Sequence, residues 1–217
     1  MDIVIVAYDN MAALDAIGPF EVFANVPDAT VTWVGTEIGV KRTEEGGKGG
    51  VGINADATIE EMPSPDIIVV PGGHGEQALR TNERFLSWLR AAHETSQWTT
   101  SVCTGSLLLG AAGLLKGKRA TSHWLALDEL KKFGAEPTSE RVVIDGKIVT
   151  GAGVSAGIDM ALTLVGMISG DVVAQTIQLG IEYDPQPPFD AGSPQKAPEF
   201  AVEFLRDRSR FILTGQR

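Results

Sequence analysis

Short apolar, β-branched runs alternate with helical patterns along this chain, and few folds accommodate that alternation. The run IVIVAY precedes a helical pattern over residues 14–26, DIIVVPGG precedes one over 77–92, and WTTSVC precedes one over 105–114. A strand, a helix and a second parallel strand form a right-handed βαβ unit, and such units bury a parallel sheet between two layers of helices. The sequence therefore predicts an α/β fold with a flavodoxin-like, doubly wound, mostly parallel sheet.

Three segments depart from this alternation. VVIDGKIVTGAG places Asp145 and Gly146 between two apolar runs, which is typical of a type I′ β-hairpin. The polar, glycine-rich stretch over residues 41–61 predicts a surface hairpin or flap. Residues 184–198 contain five prolines and predict an extended surface arm, followed by an amphipathic helix from about residue 198 to 212.

Composition limits the classes of function. The chain has 217 residues with 43% hydrophobic content, which is enough for one domain over residues 1–217. Lys and Arg number 18 against 28 Asp and Glu, a formal net charge of −10 that disfavours binding to nucleic acid and to anionic membranes. The apolar stretches are too short to span a bilayer, and the opening MDIVIVAYDN is interpreted as a first strand rather than a targeting segment.

A single cysteine, Cys103, cannot form an internal disulfide. With only three histidines in the chain, it also gives no spacing typical of a metal site. We therefore expect no bound metal and a reducing, cytoplasmic environment.

Four polar or glycine-containing segments follow predicted strands: LDAIGP, PGGHGE, SVCTGS and TGAGVSAG. In an open parallel sheet, ligands bind beyond the carboxyl ends of the strands. These four segments are therefore the candidates for the functional site.

Cys103 is the sharpest candidate for chemistry. SVCTG has the form of a nucleophile elbow, in which Ser101 and Gly105 keep a tight strand-to-helix turn free of clashes. A helix N-terminus stabilises a thiolate, so we expect a lowered pKa and a nucleophilic Cys103 at neutral pH. The alternative is a small buried hydrophobic side chain, as many free cysteines are.

Asp15, at the start of the first predicted helix, has two interpretations. It either caps that helix, or it points into the site and shares a proton with Cys103 as a general acid. Thr104 follows the cysteine, which excludes a dyad of adjacent Cys and His residues. His74 and His123 are interpreted mainly as capping or packing residues, with catalysis as the alternative for each.

The glycine motifs GHGEQA and GAGVSA fit a loose dinucleotide-binding pattern, but neither lies at the first strand–helix turn, so we expect no cofactor. The backbone amides of Gly73, His74 and Thr104 are instead expected to form a hole that stabilises an anion. Candidates for the wall of the site are Gly153, Val154 and His123.

Residues 1–215 resemble the ThiJ/PfpI superfamily. The stretches that carry the resemblance are LDAIGPFEVF, IIVVPGGHGE, TSVCTGSLLLGAAGLLKGKRATSHW and GAGVSAGIDMAL. The tail QLGIEYDPQPPFDAGSPQKAP is similar to the isonitrile hydratase group of that superfamily. The resemblance implies Cys103 as nucleophile, Asp15 as its acid partner and Thr104 as a hydrogen-bonding neighbour.

Two positions distinguish this chain from other branches of the superfamily. Asp15 stands where most members have glutamate, and Thr104 stands where peptidase-like members have histidine. The resemblance thus implies a cofactor-independent, homodimeric enzyme that adds water to a small-molecule isonitrile and forms an N-substituted formamide. The alternatives are a glyoxalase-like or deglycase enzyme and a non-enzymatic redox or ligand sensor that uses the cysteine.

Overall fold

A seven-stranded sheet forms the centre of the computed structural model, which describes residues 1–44 and 50–211. The strands of the described residues are β1 (Asp2–Val6), β2 (Thr30–Gly35), β3 (Gly39–Arg42), β4 (Gly52–Ala55), β5 (Ala57–Thr58), β6 (Ile67–Val70), β7 (Trp98–Val102), β8 (Arg119–Ala120), β9 (Glu136–Pro137), β10 (Val142–Asp145) and β11 (Ile148–Gly151). The central sheet has the order β10-β11-β7-β6-β1-β2-β5, and only the β10–β11 pair in it is antiparallel. The predicted mostly parallel sheet is confirmed.

Helices connect these strands and cover the sheet. They are α1 (Ala13–Phe23), α2 (Glu76–Leu79), α3 (Glu83–Thr95), α4 (Gly105–Ala111), α5 (Ala156–Ser169), α6 (Asp171–Gly180) and α7 (Glu199–Asp207). The connection from β1 to β2 runs along the sheet in the direction opposite to the connection from β6 to β7. Because such connections are right-handed, α1 and α3 lie on opposite faces, as a doubly wound fold requires. The reversal of direction lies between β1 and β6.

The central strands explain the continuous apolar runs of the sequence. All four residues of β6 are buried, and so are residues 3–6 of β1, because helices cover both faces of these strands. Among the described residues, no helix is both long and apolar enough to cross a membrane.

Both predicted hairpins are present. Strands β10 and β11 pair with Asp145 opposite Ile148, so the loop consists of Gly146 and Lys147 rather than Asp145 and Gly146. Gly146 has a φ of 64°, but Lys147 has no positive φ, so the predicted type I′ turn is wrong. Strands β3 and β4 form the hairpin expected within residues 41–61, of which residues 45–49 lie outside the described part of the chain.

The end of the described chain follows the prediction in part. Residues 184–198 contain no helix or strand and are mostly exposed, as expected of a surface arm. The arm is only partly extended, because it turns where the N–H groups of Lys196 and Ala197 donate to the carbonyl oxygen of Ser193. The helix after the arm is α7, which ends at Asp207 rather than near residue 212. Residues 208–211 leave the helix as a turn. The assignment of the whole of residues 1–217 to one domain stays a prediction.

Candidate active site

The carboxyl ends of β1, β6 and β7 meet at the point where the strand order reverses. Asp15 lies in the first turn of α1 after β1, the glycine loop of Gly72 and Gly73 follows β6, and Cys103 follows β7. The fold therefore brings these three predicted segments together at one edge of the sheet, where open α/β sheets bind ligands. The fourth segment, TGAGVSAG, joins them, because Gly151 and Ala152 accept hydrogen bonds from the N–H of Cys103 and Val154 lines the same cavity.

Cys103 occupies a strained turn between β7 and α4. Its φ is 57°, which a residue with a side chain rarely adopts. Its N–H donates to the carbonyl oxygens of Gly151 (3.0 Å) and Ala152 (2.8 Å). Its own carbonyl oxygen accepts the hydroxyls of Ser106 and Ser122, each at 3.1 Å. These four hydrogen bonds hold the backbone in the strained conformation, so the predicted elbow is confirmed.

The elbow requires glycine at position 105, directly after Thr104. A Cβ atom at position 105 would lie 2.1 Å from the carbonyl oxygen of Val70, at the end of β6. Helix α4 can therefore begin this close to the neighbouring strand only with glycine at that position. The small-residue spacing in the sequence has a direct steric cause.

Asp15 is fully buried, and its carboxyl faces the thiol. Asp15 Oδ2 accepts a hydrogen bond of 2.9 Å from the N–H of Gly72, and the carboxyl interacts with the thiol of Cys103, whose pKa it raises. Helix capping does not account for these contacts, because Gly72 follows β6 and Cys103 follows β7. Of the two interpretations of Asp15, the structure favours the one that places it in the site.

Thr104 links the elbow to the glycine loop. Its Oγ1 accepts a hydrogen bond of 3.0 Å from the N–H of Gly73, and its side chain is buried. Gly72 is enclosed by the same groups: a Cβ there would lie 2.5 Å from the nitrogen of Thr104 and 2.9 Å from Asp15 Oδ2. The loop, the carboxyl and the elbow thus form one closely packed unit.

The environment of the thiol opposes ionisation. Burial raises the pKa of Cys103 well above its ordinary value, and the negative charge of Asp15 and its hydrogen bond to the thiol raise it further. The N–H groups of Thr104 and Val154 lower the pKa, but by less than burial and Asp15 raise it. The expected lowered pKa is therefore wrong for the free site, because the sequence showed the helix N-terminus but not the burial of the thiol.

The anion-stabilising hole differs from the prediction in the amides that are available to form it. The N–H of Gly73 donates to Thr104, and the N–H of His74 donates to the carboxylate of Glu44, so both amides are already engaged. The amides that lower the pKa of the thiol are those of Thr104 and Val154. Thr104 was expected to contribute, whereas Val154 was expected only as part of the wall. Val154 has a φ of 24°, an irregularity that sequence patterns do not reveal.

The histidines do not pair with the cysteine. The ring of His74 is mostly exposed and binds Glu44 through Nδ1. His123 Nδ1 accepts the N–H of Leu125 at 3.3 Å, and partial burial lowers the pKa of His123, which favours the neutral ring. Among the described residues, no group of three or more His, Cys, Asp or Glu side chains is placed to hold a metal ion.

A cavity of about 250 Å³ opens above the elbow. The residues of the fold that line it are Ala12, Glu44, Gly73, His74, Cys103, Thr104, His123, Leu125 and Val154. The rest of its lining comes from the end of the described chain, namely Leu205, Arg208, Ser209, Arg210 and Phe211. No motif in the sequence identifies Glu44 or this terminal segment as part of the site.

Gly153 is not part of that cavity. It lines a neighbouring cavity of about 440 Å³, which shares His123 and Val154 with the first. A Cβ at position 153 would lie 2.9 Å from Cδ2 of His123, so Gly153 makes room for that ring. The assignment of Gly153 to the site stays a prediction, whereas Val154 and His123 do line the cysteine cavity.

Comparison with known proteins identifies the family. The DJ-1/PfpI family matches residues 1–167, more than half of the chain. The chain belongs to the DJ-1/PfpI family. The predicted resemblance to the ThiJ/PfpI superfamily is therefore confirmed.

Two DJ-1/PfpI relatives cover most of the chain. The isonitrile hydratase of Pseudomonas putida is 45% identical over 202 residues, which are 93% of this chain and 87% of that protein. The crystal structure of a ThiJ/PfpI family protein from Pseudomonas syringae superposes with a TM-score of 0.91 at 36% identity, covering 95% of this chain and 84% of that one. A third relative, the deglycase TK1284 of Thermococcus kodakarensis, is 30% identical over 155 residues, which are 69% of this chain and 89% of that protein.

Proposed function

We propose that this protein is an isonitrile hydratase, which adds water to an isonitrile and releases an N-substituted formamide. The observation that carries the proposal is the buried pair of Asp15 and Cys103, whose carboxyl and thiol interact with each other beside a small cavity. The similarity to the P. putida enzyme over almost the whole chain supports the same substrate class.

An isonitrile needs the two groups that this pair supplies. Its terminal carbon accepts a nucleophile and then a proton at the same atom. In the first step, the sulfur of Cys103 forms a bond to that carbon while Asp15 takes the thiol proton and passes it to the carbon. The product is a thioimidate, in which the carbon carries one hydrogen and the nitrogen keeps its substituent.

Water completes the reaction. Asp15, ionised after the first transfer, takes a proton from water as the oxygen attacks the thioimidate carbon, and it passes that proton to the imine nitrogen, which leaves Asp15 ionised again. The carbon–sulfur bond then breaks, the hydroxyl proton returns to sulfur by way of Asp15, and the formamide leaves. One water is consumed, and the Asp15–Cys103 pair returns to its starting protonation state.

The raised pKa of Cys103 suits this sequence of steps. Two buried ionisable groups in contact cannot both carry a negative charge at low cost, so the pair holds a single proton between them. The thiol consequently ionises only as the substrate carbon receives its electrons. The amides of Thr104 and Val154 stabilise the sulfur while its negative charge develops.

The direct test is turnover of a simple isonitrile. Purified protein, with no added metal or nucleotide, is mixed with cyclohexyl isonitrile, and the N-cyclohexylformamide is followed by proton NMR. We expect formamide from the wild type and none from Cys103→Ala, since the chain has no second cysteine. Turnover of methylglyoxal or of a glycated thiol, with no formamide, would show instead a glyoxalase or deglycase, and peroxide oxidation of Cys103 without any turnover would show a sensor.

A further inference from the structure

We propose that residues 205–211 form the outer wall of the substrate cavity and that Arg210 is the positioning residue that holds this wall. The wall would then select isonitriles by the size of their apolar N-substituent. The identity of the substrate rests on the proposed function, whereas the placement of the wall rests on the contacts described below.

Arg210 joins the end of the described chain to the loop after β6. Its Nη1 donates to the carbonyl oxygen of His74 at 3.0 Å, and its Nη2 donates to that of Gly73 at 3.3 Å. Nη2 also donates to Oε1 of Glu76 at 2.7 Å. One guanidinium therefore fixes the terminal segment to the loop that packs against Thr104.

Glu76 makes this an internal contact rather than a surface ion pair. Its side chain is fully buried, and it also receives Nε and Nη2 of Arg80. Burial raises the pKa of Glu76, and the positive charges of Arg80 and Arg210 lower it. Removing a charged partner from a buried carboxylate costs stability, so the contact with Glu76 holds the side chain of Arg210 in place.

The segment that Arg210 holds presents apolar groups to the cavity. Leu205 and Phe211 line it together with Leu125 and Val154 of the fold. The guanidinium of Arg210 also lies over the ring of Phe211, 4.7 Å from its centroid. The same side chain thus fixes both the backbone of the segment and its largest apolar group.

The cavity consequently has a reactive part and an apolar part. Cys103 and Thr104 line it on the side of the elbow, where the isonitrile carbon reacts, and the aliphatic and aromatic groups are left to contact the N-substituent. A methyl substituent is too small to use those contacts fully, whereas a cyclohexyl ring fills them. Loss of the wall should therefore affect large substrates and spare small ones.

The test compares Arg210→Gln with Arg84→Gln. Arg84 lies in the first turn of α3, pairs with Glu60 at the surface, and does not line the cysteine cavity. For Arg210→Gln we expect KM for cyclohexyl isonitrile to rise about tenfold, with kcat within about twofold and methyl isonitrile almost unaffected. Arg84→Gln should match the wild type, and Arg210→Lys should recover part of the loss.

A second variant leaves the Glu76 pair intact. Phe211→Trp should narrow the cavity and raise KM for cyclohexyl isonitrile more than for methyl isonitrile. If Arg210→Gln and Phe211→Trp both change the two substrates by the same factor, the segment does not select by size and the proposal is overturned.

Chemical labelling separates this proposal from the proposed function. Cys103 is the only cysteine, so its rates of reaction with iodoacetamide and with the bulkier N-cyclohexylmaleimide report access to the site without any substrate. For Arg210→Gln we expect the ratio of maleimide to iodoacetamide rates to rise about tenfold above the wild type. An unchanged ratio overturns the wall, even if isonitriles are hydrated. A raised ratio with no hydration supports the wall and overturns the hydratase.

Discussion

The N–H of Gly72 donates a hydrogen bond of 2.9 Å to Asp15 Oδ2. The loop after β6 therefore holds the carboxyl that faces the thiol of Cys103, which follows β7. Only glycine fits at position 72, since a Cβ would lie 2.9 Å from that same oxygen. We expect Gly72→Ala to displace Asp15 and to reduce isonitrile turnover by about 10²-fold, because shifts of about 1 Å in a reacting group have effects of this size.

Gly180→Ala is the matched control for that variant. Gly180 ends α6, and a Cβ there would have no neighbour within 4 Å. Its thermal midpoint and turnover should equal or exceed those of the wild type, since alanine favours a helix over glycine. Normal turnover by Gly72→Ala would contradict the assigned role of the Gly72–Asp15 hydrogen bond.

Asp15→Asn tests proton transfer. Asparagine has nearly the same size and can still accept from Gly72, but it cannot deliver a proton to carbon, so the rate of formamide formation should fall by roughly two to four orders of magnitude. Asp171→Asn is the control, because Asp171 is an exposed acid in the first turn of α6 and should be dispensable. An asparagine variant at position 15 with wild-type turnover would remove Asp15 from the mechanism.

The ionisation of Cys103 should depend on pH in a defined direction. Because the pKa of the thiol is raised above its ordinary value of 9.0, the reactive thiolate is scarce near neutral pH and increases as the pH rises beyond that value. Alkylation rates measured with iodoacetamide from about pH 6 to 10 should therefore still be climbing at the upper end. In Asp15→Asn the negative charge is gone, so the rise should move to lower pH. A wild-type midpoint below the ordinary value would contradict this account.

Thr104→Val tests the link between the elbow and the glycine loop. Valine keeps the volume but leaves the N–H of Gly73 without its acceptor, which should lower the free energy of unfolding by about 1–3 kcal/mol. Thr104→Ser keeps the hydroxyl and should lose much less. Urea unfolding measures both, and equal losses for the two variants would show that packing rather than the hydrogen bond stabilises the loop.

The oligomeric state can be tested at an exposed apolar surface. Val172 and Leu179 of α6 are 77% and 80% exposed, and Phe189 of the arm and Phe200 of α7 are 78% and 74% exposed. We expect two copies of the chain to bury these side chains in a homodimer. Light scattering should give a dimer for the wild type and a shift toward monomer for Leu179→Ser with Phe200→Ser. A monomeric wild type at micromolar concentration would refute the prediction.

The sequence predicts those parts of the fold that depend on local patterns. The apolar runs at β1 and β6, the elbow at Cys103 and the Asp145–Gly146 hairpin region can all be recognised because a few neighbouring residues determine them. The turn type of the hairpin is different because pairing between β10 and β11 moves the loop by one residue. Local chemistry identified the turn, and the strand register decided its position.

The site is less predictable because its decisive contacts join distant residues. The carboxylate of Glu44 engages the amide of His74, and the hydroxyl of Ser122 bonds the carbonyl of Cys103, yet neither partner stands out in the sequence. The contact between Arg210 and Glu76 joins the last turn of the described chain to α2. Such pairs depend on the assembled fold, and so does the desolvation that raises the pKa of Cys103.

The strained backbone at Cys103 makes the nucleophilic cysteine less favourable for the stability of the fold than glycine would be. A φ of 57° costs a residue with a side chain about 1–2 kcal/mol, and glycine avoids most of that cost. Selection for heat resistance alone, without a demand for turnover, would therefore favour glycine at position 103. A relative that no longer encounters the substrate can therefore gain stability by replacing the nucleophilic cysteine with glycine.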